Sequence, residues 1–226
     1  MRYFISDVHG EYELFRALLE KIDFSDKDEM YICGDIIEKG SDSVKLARYV
    51  SSFSNIHCII GNHEMSFLKY YRTVMENSPR DFDAVLRVLQ MFFPEDEEKL
   101  DWDLVDWLDA LPSYIEGEDF ICVHAGLKID TNGNILPLCS LSNEELTCDR
   151  RFKDEDIKHN DPKCVFFGHT PTYYVCGESK ILIYKRSDVT KEIRDLYKIH
   201  LDTGAFKTGV LGCFCADTLE AIYVTK

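Results

Sequence analysis

RYFISDVHG, residues 2–10, is a short apolar run that stops on an aspartate, and its form returns along the chain. Residues 30–35 (MYICGD) and 56–64 (IHCIIGNHE) repeat it: a strand-length apolar stretch, then glycine beside an acidic, amide or imidazole side chain. Between these runs lie segments with a different period. Glu11 to Ile22 carries Leu14, Leu18, Leu19 and Ile22 on one side, and Ser41 to Phe53 carries Val44, Leu46, Ala47 and Val50. Apolar residues at three- and four-residue steps mark a helix with one buried face, whereas short continuous runs bounded by glycine mark buried strands. Strand, loop and helix in alternation predict a mostly parallel sheet with helices packed against it. In such sheets functional side chains gather in the loops beyond the carboxyl ends of the strands.

The pattern then changes. Met65 to Leu111 reads as mainly helical, with amphipathic spacing in FDAVLRVLQMFF (82–93) and LDWDLVDWLDAL (100–111), divided by Pro94 and the acidic run EDEE (95–98). This predicts a helical shoulder over about 65–112 within one domain spanning 1–226, with Trp102, Trp107, Phe92 and Phe93 in its core. Asp119–Val123 and Lys163–Phe167 are two more strands, ending at His124-Ala125-Gly126 and at Gly168-His169. Ser142 to Glu145 has the form of a capping box opening a short helix. Residues 181–184, 198–201, 210–216 and 221–225 are β-like, so a second sheet packed on the first is expected.

Composition narrows the function. Forty-one acidic against 26 basic residues give a net charge of −15, which disfavours an extended nucleic-acid track, since that needs a basic face. Attraction for a phosphate would have to come from local cations. No apolar stretch of about 18 residues is present, so no membrane span is expected. MRYFISDVHG lacks the apolar core and cleavage site of a signal peptide. The nine cysteines are scattered, form no C-x-x-C pair and often sit in apolar runs. That usage predicts reduced, mostly buried thiols in a cytoplasmic protein.

The strand-end loops together hold Asp7, His9, Asp35, Asn62, His63, His124 and His169. Oxygen and imidazole ligands in this mixture suit manganese, iron or zinc. Two such ions about 3.5–4 Å apart, sharing a carboxylate, can clamp both ends of a displacement at phosphorus. No one piece is specific, and a lone histidine is usually structural; His57, His159 and His200 are read that way. The weight lies in five pieces, each at the end of an expected strand.

In order, the pieces D-x-H-G, G-D-x-x-acid-base-G, G-N-H-E, H-A-G and G-H-T resemble the metallophosphoesterases. More narrowly, they are similar to the PPP phosphatase branch in its compact bacterial and phage form, that of lambda phosphatase and the symmetrical dinucleoside tetraphosphatases. The resemblance implies an α/β fold of two sheets in a sandwich flanked by helices (α/β/β/α), with a helical insertion. It implies two divalent metal ions, manganese first. Asp7 and His9 would hold the first, Asp35 would bridge, and Asn62, His124 and His169 would hold the second. His63 would protonate the leaving oxygen with Glu38 as its acidic partner, and Lys39 and Arg150 would hold phosphate oxygens. Asp202 and Thr203 would brace the metal loops.

Two positions depart from the family pattern. Gly34-Asp-Ile-Ile-Glu38-Lys39-Gly40 has Glu and Lys where the family has Asp and Arg, and Lys lacks the two-pronged fork of guanidinium. The tryptophan of the family's W-x-R is absent near Arg150, so that arginine is chosen by spacing. Three functions follow as candidates. Hydrolysis of phosphomonoesters, as a serine/threonine-type protein phosphatase acting on a phosphoprotein or small phosphate ester, is favoured by Glu38 and Glu64. Hydrolysis of a dinucleoside polyphosphate, or another nucleotide anhydride, is the alternative. A metal-binding scaffold without turnover is the third. Residues 176–200, with basic side chains among acids, are read as a solvated hairpin that could approach the mouth of the site.

Overall fold

The computed structural model describes all residues except 78–80, 95 and 97–99. The chain begins with β1 (Arg2–Ile5), α1 (Tyr12–Lys21), β2 (Glu29–Ile32), α2 (Ser43–Ser51) and β3 (Ile56–Cys58). Three helices follow: α3 (Asn62–Asn77), α4 (Phe82–Phe92) and α5 (Trp102–Asp109). Next come β4 (Tyr114–Glu116), β5 (Phe120–Val123), α6 (Asn143–Cys148), β6 (Cys164–Phe167), the short helix α7 (Tyr173–Cys176) and β7 (Leu182–Lys185). The chain finishes with β8 (Leu196–His200), the short helix α8 (Ala205–Thr208), β9 (Val210–Cys215) and β10 (Glu220–Thr225).

The strands form two five-stranded sheets, ordered β10-β9-β1-β2-β3 and β4-β5-β6-β8-β7. Both are mixed rather than mostly parallel. Only the triplets β1-β2-β3 and β5-β6-β8 run parallel, and antiparallel strands flank them. The strands late in the sequence do not all build the second sheet, because β9 pairs back onto β1 and carries β10 beside it. The helix-crossover rhythm was readable; which sheet a late strand joins depends on long-range pairing that periodicity does not encode.

Period-two burial sorts the strands into layers. In β1, Tyr3 and Ile5 face a core shared with Leu14, Phe15 and Leu18 of α1 and Leu46 and Val50 of α2. Phe4, between them, faces the other way into a core shared with Phe120, Cys122, Phe166, Ile199 and Phe214, which is the space between the sheets. Phe4 and Phe166 stack there with centroids 3.7 Å apart. The outer face of the second sheet (Ile121, Val123, Val165, Phe167) is covered by Leu138, Leu146 and Phe152. Helix, sheet, sheet and covering helix or loop thus form the α/β/β/α layers.

The shoulder is helical as expected, and its helices start where side chains cap them. Asp81 accepts the Ala84 amide and Asp101 accepts the Leu104 amide, each satisfying an orphan donor of a first turn. Ser142 and Glu145 form the expected capping box. Phe92 is buried and Trp107 half-buried, but Trp102 is 61% exposed, contrary to its expected core position. Leu104, Val105 and Leu108 form the inward stripe of α5, and Trp102, on its first residue, lies off that stripe and meets Tyr71 only edge-on. Of the acidic run 95–98, only Asp96 lies among the described residues; its Oδ1 accepts the Val44 amide at 3.0 Å. Six of the nine cysteines are buried and none is in a disulfide. No helix among the described residues is long and apolar enough to cross a membrane.

Candidate metal centre

Parallel pairing brings the carboxyl ends of β1, β2 and β3 to one side, and those of β5, β6 and β8 to the same region. The loops there are tied to one another. Asp7 donates its amide to Gly34 O at 3.1 Å, His9 to Asp35 O at 3.0 Å, and Gly168 to His124 O at 2.8 Å. Gly61 and Gly168 are needed for this closeness. A methyl group at Gly61 would strike Asp35, and one at Gly168 would strike Ser6 and Asp7. The backbone is strained in the same place. Asp7, His9, Asp35, Glu38, Lys39 and His169 all have positive φ, between 49° and 73°. A non-glycine residue held there costs about 1–2 kcal/mol, and such strain concentrates at functional sites.

Asp35 is the hub. Its Oδ2 lies 3.3 Å from His124 Nε2, 3.6 Å from His9 Nε2 and 3.7 Å from His63 Nε2, while its Oδ1 accepts the His63 amide at 3.0 Å. His124 donates from Nδ1 to Cys33 O at 2.7 Å, so Nε2 is the ring atom left to its other neighbours. Nε2 lies 2.9 Å from Asn62 Oδ1 and 3.2 Å from His169 Nδ1, and the last two atoms are 2.7 Å apart. A proton on one ring satisfies one of these contacts; a divalent cation satisfies all three. His169 Nε2 is buried without a partner, so the ring is held only through its Nδ1 contacts.

A second nest of ligand atoms adjoins the first. His9 donates from Nδ1 to Ile37 O at 3.1 Å, and its Nε2 accepts from the Lys39 ammonium at 2.8 Å and lies 3.9 Å from Asp7 Oδ1. Two groups of three ligand atoms are mutually close, His9 with Asp35 and His63, and Asp35 with His124 and His169. The first includes His63 where the sequence expectation has Asp7. Asp7 Oδ2 is taken by the His169 amide and the Ser6 hydroxyl, which turns Oδ1 toward His9. His63 Nδ1 is taken by Glu38 Oε2 at 2.5 Å, which turns Nε2 toward Asp35. Both side chains therefore offer one free atom to the nest, and the residues fit two divalent cations that share Asp35.

The electrostatics express the same demand for positive charge. Burial disfavours a charged His124, yet Asp35 and Asp7 outweigh it and hold its pKa up to about 10. Burial opposes ionisation of Asp35 too, but His124, His9 and His63 keep it well below the usual carboxylate range. Burial pushes His9 down to about 3, and burial with the nearby His124 does the same to His169, leaving both rings neutral and able to ligate.

Asp7, His9, Lys39, Asn62, His63, Arg150 and His169 line one cleft of about 510 Å³. Asp35 and His124 lie buried beneath it. Arg150 donates from Nη1 to Thr170 Oγ1 at 3.0 Å, whereas Arg151 turns out to Asp149, so the geometry brings Arg150 and not Arg151 into the cleft. His200 is buried, bonds Thr170 O at 2.6 Å and stacks on Phe167; His159 bonds Tyr197 O at 2.7 Å; His57 pairs with Glu29. None of residues 176–200 lines the cleft. Its rim comes from the flanking segments, through Pro171, Tyr174, Gly204, Phe206 and Lys207.

Sequence reasoning missed what Glu64 does. It is fully buried, and its carboxylate accepts the amides of Asp35, Ile36, Ile37 and Gly61. An acid in the first turn of a helix, just after a glycine turn, was the available signal. Asp202 is buried near Asp7, accepts the Gly204 amide at 2.8 Å and is held well above the usual carboxylate range by burial and by Asp7.

Residues 3–201 match the calcineurin-like phosphoesterase family. The symmetrical bis(5'-nucleosyl)-tetraphosphatase of Buchnera aphidicola subsp. Acyrthosiphon pisum (strain 5A) is 32% identical over 166 residues, 70% of this chain. The chain spans 57% of that relative's length. A crystal structure provisionally named a diadenosine tetraphosphatase superposes with a TM-score of 0.70 at 18% identity, covering 99% of this chain and 92% of the other. The I115M mutant of a cold-active protein tyrosine phosphatase superposes with a TM-score of 0.58 at 15% identity, covering 99% and 77%.

Proposed function

We propose, for a chain that belongs to the calcineurin-like phosphoesterase family, that it hydrolyses the phosphoanhydride of dinucleoside polyphosphates with two divalent metal ions, manganese first. The observation that carries the metal-dependent reading is the meeting of Asn62 Oδ1, His124 Nε2 and His169 Nδ1 beside Asp35 under an open cleft. The substrate class is supported by the likeness to the symmetrical tetraphosphatase along 70% of the chain. The sequence lean toward phosphomonoesters rested on Glu38 and Glu64. Glu64 is buried under the Asp35 loop and touches no cleft surface, so it carries no information about substrate.

In this reading Asp7 and His9 would hold one ion, Asn62, His124 and His169 would hold the other, and Asp35 would serve both. When bound, the ions supply Lewis acidity to the phosphoryl oxygens and to the attacking water. The protein's own groups do the rest. Lys39 and Arg150, both lining the cleft, hold phosphate oxygens and fix the phosphoryl group for in-line attack. Glu38 grips His63 Nδ1 and so presents Nε2 to the departing oxygen. The buried cluster around Asp35 keeps its geometry through backbone bonds that need no rearrangement during reaction.

Chromatography of the nucleotides released from diadenosine tetraphosphate tests the proposal. Metal-dependent release of ADP, or of AMP with ATP, supports it and shows which anhydride is cut; no turnover with metal supplied overturns it. One observation favours a second reading. The Glu38–His63 pair equips the site to protonate an alkoxide, which a phosphate leaving group does not require, and a phosphomonoesterase would use that pair fully.

A further inference from the structure

The cleft extends beyond the ligand atoms to a rim of a different character. Two loops build it. The loop that carries His169 runs through Thr170 and Pro171 directly into α7, and the loop that carries Asp202 runs through Gly204 into α8. The Thr172 amide bonds Asp202 O at 2.8 Å, so the two loops are tied together below the rim. Each short helix displays an aromatic ring on the cleft: Tyr174 is 61% exposed and Phe206 46%. Tyr173, which meets the Tyr174 ring, is also exposed, so exposed aromatic surface lies beside an otherwise ionic centre. Exposed apolar surface of this kind marks binding sites.

The Tyr174 ring is held in place. Lys207 donates to its hydroxyl and sits 4.7 Å from its centroid, and Tyr173 meets it edge-on at 5.7 Å. A ring restrained before binding loses little freedom when a ligand stacks on it. Among the residues lining the cleft, Lys39, Arg150 and Lys207 are the lysine and arginine cations, on a chain whose net charge is −15. Planar aromatic surface next to localised positive charge is the chemistry that recognises a nucleotide: a base for the ring and phosphates for the amines.

We propose that Tyr174 and Phe206 form a nucleobase subsite, with Lys207 at the phosphates of the same nucleotide. This rests on the anhydride-hydrolase reading for the identity of the substrate, and it names the residues that select a nucleotide over a bare phosphate. Base–aromatic stacking tolerates any base, so the subsite recognises a nucleotide without reading its sequence identity.

The test is calorimetric binding of ADP and of inorganic pyrophosphate to the manganese-loaded protein, which needs no turnover. Wild-type protein should bind ADP more tightly than pyrophosphate. Tyr174→Ala and Phe206→Ala should each weaken ADP by about 5- to 100-fold and leave pyrophosphate within about twofold. Tyr174→Phe, which keeps the ring, should restore most of the ADP affinity. Equal binding of ADP and pyrophosphate by wild type, or equal losses for both ligands in the alanine variants, overturns the subsite. A ring-dependent preference for ADP without hydrolysis of diadenosine tetraphosphate overturns the proposed function and upholds the subsite.

Discussion

Glu64 lies directly behind Asp35: its Oε2 accepts the Asp35 amide at 2.9 Å and the Gly61 amide at 2.8 Å, while Oε1 accepts Ile36 at 2.8 Å and Ile37 at 3.0 Å. One buried carboxylate thus fixes both the turn that carries Asp35 and the turn that carries Asn62 and His63. Burial and the Asp35 charge raise its pKa, and the Ile37 and Gly61 amides with the His124 charge oppose them. Positions of the central carboxylate and of the proposed acid are therefore coupled through a group that no substrate touches.

Glu64→Gln sets an amide NH2 against two N–H donors. Each buried donor left unmatched costs about 1–3 kcal/mol, so urea unfolding should show a loss of about 2–6 kcal/mol. Metal affinity, read by calorimetry, should fall about 10- to 100-fold because the ligand-bearing turns lose their support. Lower stability with unaltered metal affinity would confine Glu64 to folding.

Asp35→Ala should release both metal ions, since its Oδ2 faces His9 and His124 alike. Asp7→Ala should release one, because its free oxygen faces only the His9 side. Elemental analysis after dialysis counts the ions. Full occupancy of one site in Asp35→Ala would show that Asp35 does not serve both.

His63→Ala separates leaving groups. For an alkyl phosphate, which needs a proton, the rate should fall by about 10²–10⁴. For p-nitrophenyl phosphate and for diadenosine tetraphosphate, whose leaving groups carry their charge without one, the fall should be about tenfold or less. Equal losses on all three would mean that His63 positions the cluster and donates no proton.

Two histidines outside the ligand set make stability sensitive to acid. His159 is buried, and burial lowers its pKa despite the bond to Tyr197; His200, buried on Phe167, is pushed down to about 3. In each case the unfolded chain binds the proton more readily than the folded one. Stability is then retained above about pH 6.5, the unfolded value, and lost as pH falls toward the folded value. Each such group contributes a slope of at most about 1.4 kcal/mol per pH unit. Urea unfolding of His159→Gln between pH 5 and 7 should give a shallower pH dependence than wild type; an identical dependence would refute the assignment.

The sequence made the centre legible because its parts are local. Each ligand follows a strand within four residues, and strand ends converge in a parallel sheet. Asp7, His9, Asp35, Asn62, His63, His124 and His169 could all be named from that alone, and the structure brings them together. Arg150 was selected by spacing, and only its contact with Thr170 distinguishes it from Arg151. What stayed hidden is non-local or short. The brace by Glu64 depends on a turn 28 residues away in sequence. α7 and α8 have four residues each, too few for any periodicity to register, so the aromatic rim had no sequence signal. Trp102 misled because hydrophobicity suggests burial, while its place at the start of α5 turns it outward.

The most direct test of the account compares kcat/KM for diadenosine tetraphosphate, p-nitrophenyl phosphate and a phosphoserine peptide, using metal-free protein with and without added manganese. The account predicts turnover only with the metal, and a clear preference for the dinucleotide over both monoesters. Turnover without metal, or preference for the peptide, would contradict it.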